Sequence, residues 1–286
     1  MKGFNNMGNT CYLNAGLQML IQNVELCKLI LKYSQQSLIL NKISIIINEY
    51  YDGQSGSITP TEIKKIVEEK QNIFYGCGQQ DSTEFIICLL NIIEEEIKKI
   101  NVNSKEIENI FGINMNVRIK CKYINCLQVY NKKEQNNFLI LDIEQNCSTL
   151  DDLYRNHKSS EILNDDNQYF CEKCNMKRNA SKRNQVIEWP NYLFIWLKRF
   201  KQVGNHVSKQ SHQIDINILW RHGMVLIGAI IHYGNINGGH YVYAGKQSDN
   251  KWYLFNDGYV SEIRSENDLL GILNNAYWLS YKKYII

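Results

Sequence analysis

The chain has 286 residues, of which 44% are hydrophobic and 21% are charged; this composition can fill a sizeable core and excludes a disordered chain. Its 32 lysine and arginine residues nearly balance its 29 aspartate and glutamate residues, so charge gives no case for nucleic acid or an anionic membrane as the main partner. No apolar run approaches the roughly 20 residues that cross a bilayer, and the first residues lack the apolar segment of a secretory signal. We therefore expect an intracellular protein, in the cytoplasm or the nucleus.

Helical periodicity dominates residues 1–112. Leucine and isoleucine recur at helical spacing directly after Cys11. Residues 59–62 (TPTE) have the pattern of a capping box with proline at the first helical position, and residues 81–84 (DSTE) repeat the capping pattern. From about residue 113 the hydrophobic period becomes two, and short β-branched or aromatic segments follow to the end of the chain. Helices first and strands later predict an α+β protein.

Cys11 lies in a turn rich in glycine and asparagine, directly before the first predicted helix. The N–H groups of a helix N-terminus and a nearby imidazole are two features that stabilise a thiolate near neutral pH. The preceding residues 6–10 (NMGNT) can supply carboxamide and N–H donors to a developing oxyanion. On this segment alone, a glycine turn that caps a helix beside a buried cysteine is an equal alternative.

A histidine follows two glycines in residues 238–241 (GGHY), at the start of a predicted strand, and the next apolar strand ends at Asn256 and Asp257. If the two strands pair as an antiparallel hairpin, either side chain can reach the His240 imidazole and fix its tautomer, as in a Cys-His-Asn/Asp triad. The alternative is a hydrogen-bonded histidine at a strand end, followed by a plain turn. His232 is the rival base; it lacks the neighbouring glycines, and we interpret it as structural.

Nine cysteines are many for a chain of this length, and their number is odd. In a reducing compartment, cysteines more often serve as metal ligands or nucleophiles than as disulfides. Two close pairs are present, Cys121-x4-Cys126 and Cys171-x2-Cys174. Four thiolates can enclose Zn²⁺ in a closed, structural site, so the spacing predicts zinc; a redox pair at residues 171 and 174, or four free thiols, are the alternatives.

Seven segments together resemble the ubiquitin-specific proteases, a papain-like class of deubiquitinating enzymes. They occur in the order of that family's motifs, and they extend over nearly the whole chain. The segments are residues 3–14 (GFNNMGNTCYLN), 79–85 (QQDSTEF), 193–200 (LFIWLKRF), 230–234 (IIHYG), 238–241 (GGHY), 252–257 (WYLFND) and 277–281 (YWLSY).

The resemblance implies a single catalytic domain shaped like a right hand. Its parts are a helical thumb (about 1–112), fingers (about 113–185) that carry the four-cysteine zinc ribbon, and a palm of strands (about 186–286). The short length of the chain for this family implies trimmed fingers and surface loops.

By position, the resemblance also implies roles for individual residues. Cys11 corresponds to the nucleophile, His240 to the base and Asn256 to the residue that orients it. Asp257 is a second candidate for that third role, and Asn6 corresponds to the oxyanion-hole side chain. The implied substrate-binding residues are Gln79, Asp81, Glu84, Gly239 and Tyr241, although the residue types of Asp81 and Glu84 also suit the capping of their own helix.

The implied activity is thiol-dependent hydrolysis of the isopeptide or peptide bond after the C-terminal glycine of ubiquitin. The implied partners are ubiquitin or ubiquitinated proteins, and an activating protein is a further candidate. Two alternatives stay open: a catalytically weak scaffold that binds ubiquitin, and a protease for another ubiquitin-like modifier. The presence of Cys11, His240 and Asn256 together argues against the scaffold.

Overall fold

The computed structural model of the protein describes residues 1–203, 206–235 and 238–284. In these residues no helix is both long and apolar enough to cross a membrane. The α-helices are α1 (Cys11–Ile21), α2 (Val24–Tyr33), α3 (Leu38–Tyr50), α4 (Thr61–Lys70), α5 (Ser82–Ile100), α6 (Glu106–Phe111), α7 (Leu150–His157) and α8 (Glu266–Leu273). The strands are β1 (Lys2–Phe4), β2 (Gly56–Ile58), β3 (Ile113–Cys121), β4 (Val129–Asn136), β5 (Leu139–Asp142), β6 (Glu161–Leu163), β7 (Tyr169–Cys171), β8 (Met176–Arg178), β9 (Ala180–Glu188), β10 (Tyr192–Lys198), β11 (Phe200–Val203), β12 (His206–Lys209), β13 (Leu219–Trp220), β14 (Met224–Asn235), β15 (Gly238–Lys246), β16 (Trp252–Asn256), β17 (Tyr259–Ile263) and β18 (Ala276–Lys283).

Helix α1 is the centre of the helical part. All 11 of its residues are buried, since it packs against helix α5 and against strand β15. The close approach of α5 depends on Gly16, because a Cβ atom there would lie 2.6 Å from the Phe85 ring. The first residue of α1, Cys11, is therefore held at the boundary between the helices and the large sheet.

Helices α4 and α5 begin in different ways. Asp81 is the N-cap of α5, and its carboxylate accepts a 2.6 Å hydrogen bond from the backbone N–H two residues later, as the sequence predicts. The capping box predicted for residues 59–62 is wrong. Helix α4 begins at Thr61, and Pro60 stands at the cap position without a side-chain hydrogen bond, because its ring carries neither donor nor acceptor.

The largest sheet has the strand order β17-β16-β15-β14-β18-β10-β5, and β13 pairs with β14 beside this path. Strands β10 and β5 are parallel, and the other neighbours are antiparallel. The predicted hairpin is confirmed, because β15 and β16 pair with Tyr243 opposite Phe255. The end of β16, with Asn256 and Asp257, therefore lies beside the start of β15, which carries His240.

The large sheet separates two hydrophobic clusters. Side chains alternate along β10, so Tyr192 and Phe194 pack on the side of helices α1–α6, whereas Leu193, Ile195 and Leu197 pack on the side of α7 and α8. Apolar contacts on both faces make this sheet the base against which α1 and the residues near Cys11 are held.

A second sheet, here called the finger sheet, has the order β4-β3-β9-β6, and β7 and β8 form a separate pair near it in sequence. Residues 113–185 do not all belong to it. Strand β5 pairs with β10 in the large sheet, and α7 contributes to the core below that sheet, because the apolar side chains of both segments are buried there. The α+β class, with helices in residues 11–111 and mostly strands after residue 113, is confirmed.

Candidate active site and metal centre

The N-terminal strand is fixed against the turn that joins β16 to β17. The N–H of Phe4 donates a 3.0 Å hydrogen bond to the carbonyl oxygen of Asp257, and a Cβ atom on Gly3 would lie 2.4 Å from that oxygen. Asp257 has a left-handed φ of 50°, which aspartate tolerates in tight turns. These contacts bring the segment before Cys11 to residues 256 and 257, although the two regions are far apart in sequence.

Cys11 is the first residue of α1 and is 6% exposed. Burial raises the pKa of its thiol, and the negative charge of Asp257 acts in the same direction. Hydrogen bonds from backbone N–H groups, above all that of Tyr241, lower the pKa but do not offset the burial. The thiol is therefore protonated at neutral pH in this state of the protein, and the sulfur needs a base before it can act as a nucleophile.

His240 lies on β15, directly before Tyr241, whose backbone N–H contacts the Cys11 sulfur. Nε2 of His240 lies 2.6 Å from Oδ1 of Asn256. An amide oxygen only accepts hydrogen bonds, so the proton of the neutral ring is on Nε2 and Nδ1 can accept a proton. Oδ2 of Asp257 lies 4.0 Å from the same Nε2, so Asn256 is the closer partner of the imidazole.

Asp257 is held by two carboxamides rather than by the imidazole. Asn6 donates a 2.9 Å hydrogen bond to its Oδ2, and Asn14 donates a 2.7 Å hydrogen bond to its Oδ1. Asn14 is buried and also donates to the carbonyl of Phe4. Asn14 is a site residue that sequence patterns did not predict; its position three residues after Cys11, on the same face of a helix, is the signal that could have identified it.

Asn6 shapes the loop before Cys11 as well. Its Oδ1 accepts hydrogen bonds from the N–H groups of Gly8 (3.0 Å) and Thr10 (3.1 Å), while its Nδ2 donates to Asp257. The carboxamide donor that the resemblance assigns to the oxyanion hole is therefore engaged by a carboxylate in this state. An oxyanion that forms near Cys11 would compete with Asp257 for this donor.

A cavity of about 590 Å³ adjoins Cys11 and brings the thiol together with all five residues that the resemblance assigns to substrate binding. A larger cavity, of about 750 Å³, is lined by residues of α6, α7, β9 and the loop after β9, among others, and contains none of the predicted site residues. The smaller cavity is lined by Asn9, Cys11, Gln79, Gln80, Asp81, Glu84, Phe200, His232, Asn235, Gly238, Gly239 and Tyr241.

The two carboxylates of this cavity have different surroundings. Asp81 caps α5 with one oxygen, and its other oxygen accepts hydrogen bonds from the hydroxyls of Tyr277 (2.8 Å) and Tyr241 (3.4 Å). These bonds connect α5 to β15 and β18. Glu84 is exposed, and its pKa is raised by partial burial and by the nearby charge of Asp81. Glu84 is therefore the carboxylate that the cavity presents to a ligand.

Gly239 makes room for protein atoms as well as for a ligand. A Cβ atom at this position would lie 2.3 Å from Nε2 of His232 and 2.3 Å from the carbonyl oxygen of Tyr233. Its N–H donates a 3.3 Å hydrogen bond to Oε1 of Gln79, which connects β15 to the loop before α5. The absence of a Cβ atom at Gly239 therefore admits both the backbone of Tyr233 and the side chain of His232.

Four cysteines form a separate cluster where β3 and β7 end. Their sulfur atoms all lie within 4.8 Å of one another, and the sulfurs of Cys126 and Cys171 are 3.7 Å apart. Tetrahedral Zn–S bonds of about 2.3 Å require sulfur atoms roughly 3.8 Å apart, so the donor set fits such an ion. The four side chains that can hold a metal ion are Cys121, Cys126, Cys171 and Cys174.

Comparison with known proteins identifies the family. The family model described as ubiquitin carboxyl-terminal hydrolase matches residues 2–281. The chain is 28% identical over 315 aligned positions to the probable ubiquitin carboxyl-terminal hydrolase 16 of Schizosaccharomyces pombe, an alignment that covers 98% of this chain and 66% of that protein. It is 26% identical over 332 positions to the ubiquitin carboxyl-terminal hydrolase Usp2 of Drosophila melanogaster, with 98% and 34% covered. The chain thus spans two thirds or less of these relatives.

Solved structures show the same fold. The SAGA DUB module Ubp8/Sgf11/Sus1/Sgf73 bound to monoubiquitin matches with a TM-score of 0.82 at 23% identity, over 100% of this chain and 70% of that chain. The same module bound to ubiquitin aldehyde matches with a TM-score of 0.79, also at 23% identity and with the same coverage. These similarities confirm the predicted fold, and the family match over nearly the whole length shows that the chain belongs to the ubiquitin carboxyl-terminal hydrolase family.

Proposed function

We propose that the chain is a thiol-dependent deubiquitinating enzyme that hydrolyses the isopeptide or peptide bond after the C-terminal glycine of ubiquitin. One observation carries this proposal: Cys11 and Tyr241 line the same cavity, and the residue before Tyr241 is a histidine that Asn256 already orients through a 2.6 Å hydrogen bond. Membership of the ubiquitin carboxyl-terminal hydrolase family supports ubiquitin as the substrate.

The first chemical step forms a thioester. Nδ1 of His240 takes the proton of the Cys11 thiol, and the sulfur attacks the carbonyl carbon of the terminal glycine. Asn256 keeps the other ring proton on Nε2 and holds the ring in place during the transfer. Because burial keeps the thiol protonated in the free protein, the proton moves during the attack rather than before substrate binds.

The oxyanion of this step is stabilised by donors at the start of α1. The backbone N–H of Cys11 is one donor, and the carboxamide of Asn6 is a second once it releases Asp257. Loss of one such donor typically costs about 3 kcal/mol of transition-state stabilisation. His240 then gives its proton to the leaving amine. Water, deprotonated by the same imidazole, hydrolyses the thioester and restores the thiol.

The cavity next to Cys11 suits a narrow, extended tail. The aromatic rings of Phe200 and Tyr241 contribute to its walls, which admit a Gly-Gly segment and exclude residues with larger side chains. Gln79 is held in place by the N–H of Gly239. The exposed carboxylate of Glu84 complements a basic residue farther along the tail.

We propose Zn²⁺ as the metal of the four-cysteine cluster. A site closed by four thiolates has no open position for chemistry, so the ion supplies only a structural cross-link between the turn after β3 and the pair β7–β8. Left-handed φ values at Leu127 (48°) and Asn175 (51°) support two tight turns around such an ion.

We propose the right-hand division into thumb (about 1–112), fingers (about 113–185) and palm (about 186–286), with β5 as a strand of the palm sheet. Ubiquitin or ubiquitinated proteins are the proposed partners. A solved relative contains Ubp8 together with Sgf11, Sus1 and Sgf73, which supports a search for an activating protein here. Location in the cytoplasm or the nucleus stays a prediction.

The proposal is tested with ubiquitin that carries a C-terminal propargyl group. The wild type is expected to form a one-to-one covalent adduct, and Cys11→Ser is expected to form none. Cys77→Ser is the matched control, because it changes an exposed cysteine, and it should react like the wild type. An inert wild type, or an adduct that persists in Cys11→Ser, contradicts the proposal.

The two alternative functions are separated by a panel of tail-fluorophore substrates. Fast hydrolysis of the ubiquitin substrate supports the deubiquitinase. Tight binding of ubiquitin without turnover would instead indicate the scaffold. Preference for a different ubiquitin-like tail would indicate a protease for that modifier.

A further inference from the structure

One face of the finger sheet carries four basic side chains. Residues directly opposite each other in an antiparallel ladder point to the same side of the sheet. Arg118 on β3 lies opposite Arg183 on β9. Lys133 on β4 lies opposite Asn116, two residues before Arg118, and Lys120 lies two residues after it. These four exposed residues, here called the basic face, therefore share one side of the sheet; they are Arg118, Lys120, Lys133 and Arg183.

The charges of the basic face are not compensated within the described part of the chain, where none of its four side chains forms an ion pair. Like charges directly opposite on neighbouring strands are destabilising, so the pair of Arg118 and Arg183 costs stability. Glu188 lies at the end of this side of the sheet, but its carboxylate is engaged by Asn114, which donates a 2.7 Å hydrogen bond to it. Such an arrangement is expected where a partner supplies the opposite charge.

The other side of the same sheet places acidic residues beside its lysines. There Lys132 forms a 3.0 Å ion pair with Glu134, and Lys182 on β9 lies directly opposite Glu161 on β6. Both sides belong to one sheet, so a general need for solubility does not explain why only one of them lacks acidic partners. The difference indicates that the basic face binds an anionic ligand.

The basic face leads into the cavity of about 750 Å³ described above. Gln185, two residues after Arg183 on the same side of β9, lines this cavity together with Lys158, which follows α7. The carbonyl of Lys158 accepts a 3.1 Å hydrogen bond from Nε of Arg183. A segment that crosses the basic face therefore has room to place one of its side chains in the cavity.

The side chains of this face favour a peptide over nucleic acid or a membrane. Four cations are fewer than the roughly six phosphate contacts of a typical duplex-binding protein. Among the described side chains on this side of β3, β4, β6 and β9 there is no aromatic ring, on which the bases of a single strand would stack. The apolar side chains there are Val129 and Ile162, whereas a membrane-binding face presents several large apolar side chains.

We propose that the basic face docks an extended acidic segment of a partner protein. Alternate residues of an extended chain lie about 7 Å apart and point to the same side, which is the spacing of Arg118 and Lys120 along β3. Acidic residues at alternate positions therefore reach both cations, and the guanidinium of Arg118 can bind a carboxylate through two hydrogen bonds. None of the four residues lines the cavity next to Cys11, so this surface is separate from the proposed catalytic site.

The test uses the full chain and a fluorescent peptide of about ten residues in which glutamate alternates with serine. A peptide with glutamine in place of glutamate is the control ligand. At low ionic strength we expect the acidic peptide to bind at least about tenfold more tightly than the control, and its binding to weaken as salt rises to about 0.3 M. Fluorescence anisotropy measures both. Equal binding of the two peptides overturns the proposal.

Two double variants with the same change in net charge locate the docking surface. Arg118→Gln/Arg183→Gln removes two charges from the basic face, and Lys132→Gln/Lys182→Gln removes two from the other side of the sheet. We expect the first to weaken binding of the acidic peptide at least about tenfold and the second less than about twofold. Equal losses overturn the proposal, as does tighter binding of a thymidine oligonucleotide, a DNA duplex or phosphatidylserine vesicles to the basic face.

Thermal unfolding without any ligand gives an independent result. Arg118→Gln should raise the melting temperature at low ionic strength, because it removes the repulsion from Arg183, and the gain should shrink in high salt. A fall in the melting temperature that salt abolishes would show that the charge of Arg118 is already compensated within the chain, and it would overturn the proposal.

Kinetics with a ubiquitin tail-fluorophore separate the basic face from the proposed ubiquitin site. Arg118→Gln/Arg183→Gln should keep kcat and KM within about twofold of the wild type, because neither residue lines the cavity next to Cys11. A rise in KM confined to this variant would assign the face to ubiquitin and overturn the proposal of a different partner. A wild type that binds the acidic peptide at this face but does not hydrolyse ubiquitin contradicts the proposed function and supports the docking surface.

Discussion

Two sites of the protein are held together by different forces. One is the cavity next to Cys11 with its surrounding residues, here called the cleft, and the other is the four-cysteine cluster of the fingers. In the cleft, hydrogen bonds between residues far apart in sequence connect the helices to the large sheet. Examples are the bonds from Tyr277 to Asp81, from Trp278 to Thr83 and from Asn14 to Asp257. The surrounding side chains also pack in a continuous apolar core. The geometry of the cleft therefore belongs to the fold as a whole.

Among the residues that the structure describes, the four cysteines belong to neither of the two hydrophobic clusters. Large apolar side chains around them face outward, among them Ile124, which is 80% exposed, and Phe170, which is 52% exposed. What the four cysteines have in common is the short distance between their sulfur atoms. The contrast teaches that packing maintains the cleft without a ligand, whereas the turns around the four cysteines would depend on the proposed metal ion.

The largest effect is expected from His240→Ala, which removes the proposed base and leaves the packing of the cleft intact. Because the side chain is 38% exposed, we expect kcat/KM with a ubiquitin substrate to fall at least about 10⁴-fold and the melting temperature to change little. Steady-state kinetics and calorimetry measure the two. His222→Asn is the control, since asparagine tolerates the left-handed φ of 58° there; a loss below tenfold in His240→Ala would show that another base operates.

Removal of the proposed metal ion should destabilise the turns around the four cysteines and leave the cleft around Cys11 unchanged. With a strong chelator, or in Cys174→Ser, we expect about one zinc ion per chain to be lost and the finger sheet to lose its hydrogen-exchange protection. Structural zinc sites bind with roughly 10 kcal/mol or more, and this energy is lost with the ion. Mass spectrometry of exchanged peptides checks this. Unchanged protection of residues 113–136 after complete zinc removal would show that the ribbon is stable without metal.

Asn256→Ala tests whether Asn256 or Asp257 orients the imidazole of His240. Loss of the 2.6 Å hydrogen bond to His240 frees the ring to change its tautomer, and we expect kcat to fall about 10²- to 10³-fold with little change in KM. Single-turnover kinetics report the effect. An equal or larger loss of kcat in Asp257→Asn together with a mild effect of Asn256→Ala would assign the role to Asp257.

His232 should make the cleft sensitive to acid. Its pKa in the folded protein, about 4, lies below its ordinary value of 6.5, so the unfolded chain takes up the proton first as the pH falls. The stability due to the neutral ring is therefore complete above pH 6.5 and is lost between pH 6.5 and 4, by on the order of 3 kcal/mol. Urea unfolding at several pH values tests this. His232→Gln should lose less stability over that range; identical pH dependence in both proteins would contradict it.

The smallest effect concerns the reactivity of the thiol. Because the negative charge of Asp257 raises the pKa of Cys11, Asp257→Asn should shift the pH midpoint of Cys11 alkylation to a lower value by less than about one unit. Iodoacetamide rates between pH 6 and 10, followed by mass spectrometry of the Cys11 peptide, give this midpoint. A shift to a higher pH would mean that the loss of the Asn6 and Asn14 hydrogen bonds outweighs the charge.

Local patterns predicted much of the site. The helix that begins at Cys11, the hairpin that brings Asn256 to His240 and the cluster of four cysteines all depend on short spacings or on one turn. Other features escaped prediction because they depend on contacts across the fold. Asn14 acquires its role only where the β16–β17 turn meets α1. The raised pKa of Cys11 arises from burial that no local pattern reports.

The amino-acid sequence by itself determined the class of the fold, the family and the identity of the chemical groups, because periodicity, turn residues and motif order are properties of the chain. The tertiary structure alone decided which groups meet and in what state of protonation. In the folded protein Asn6 and Asn14 donate hydrogen bonds to Asp257, and the hydroxyls of Tyr277 and Tyr241 donate to Asp81. A neutral His232 lies in the wall of the cavity. Burial and electric fields depend on all the atoms around a group, and those atoms come together only when the chain folds.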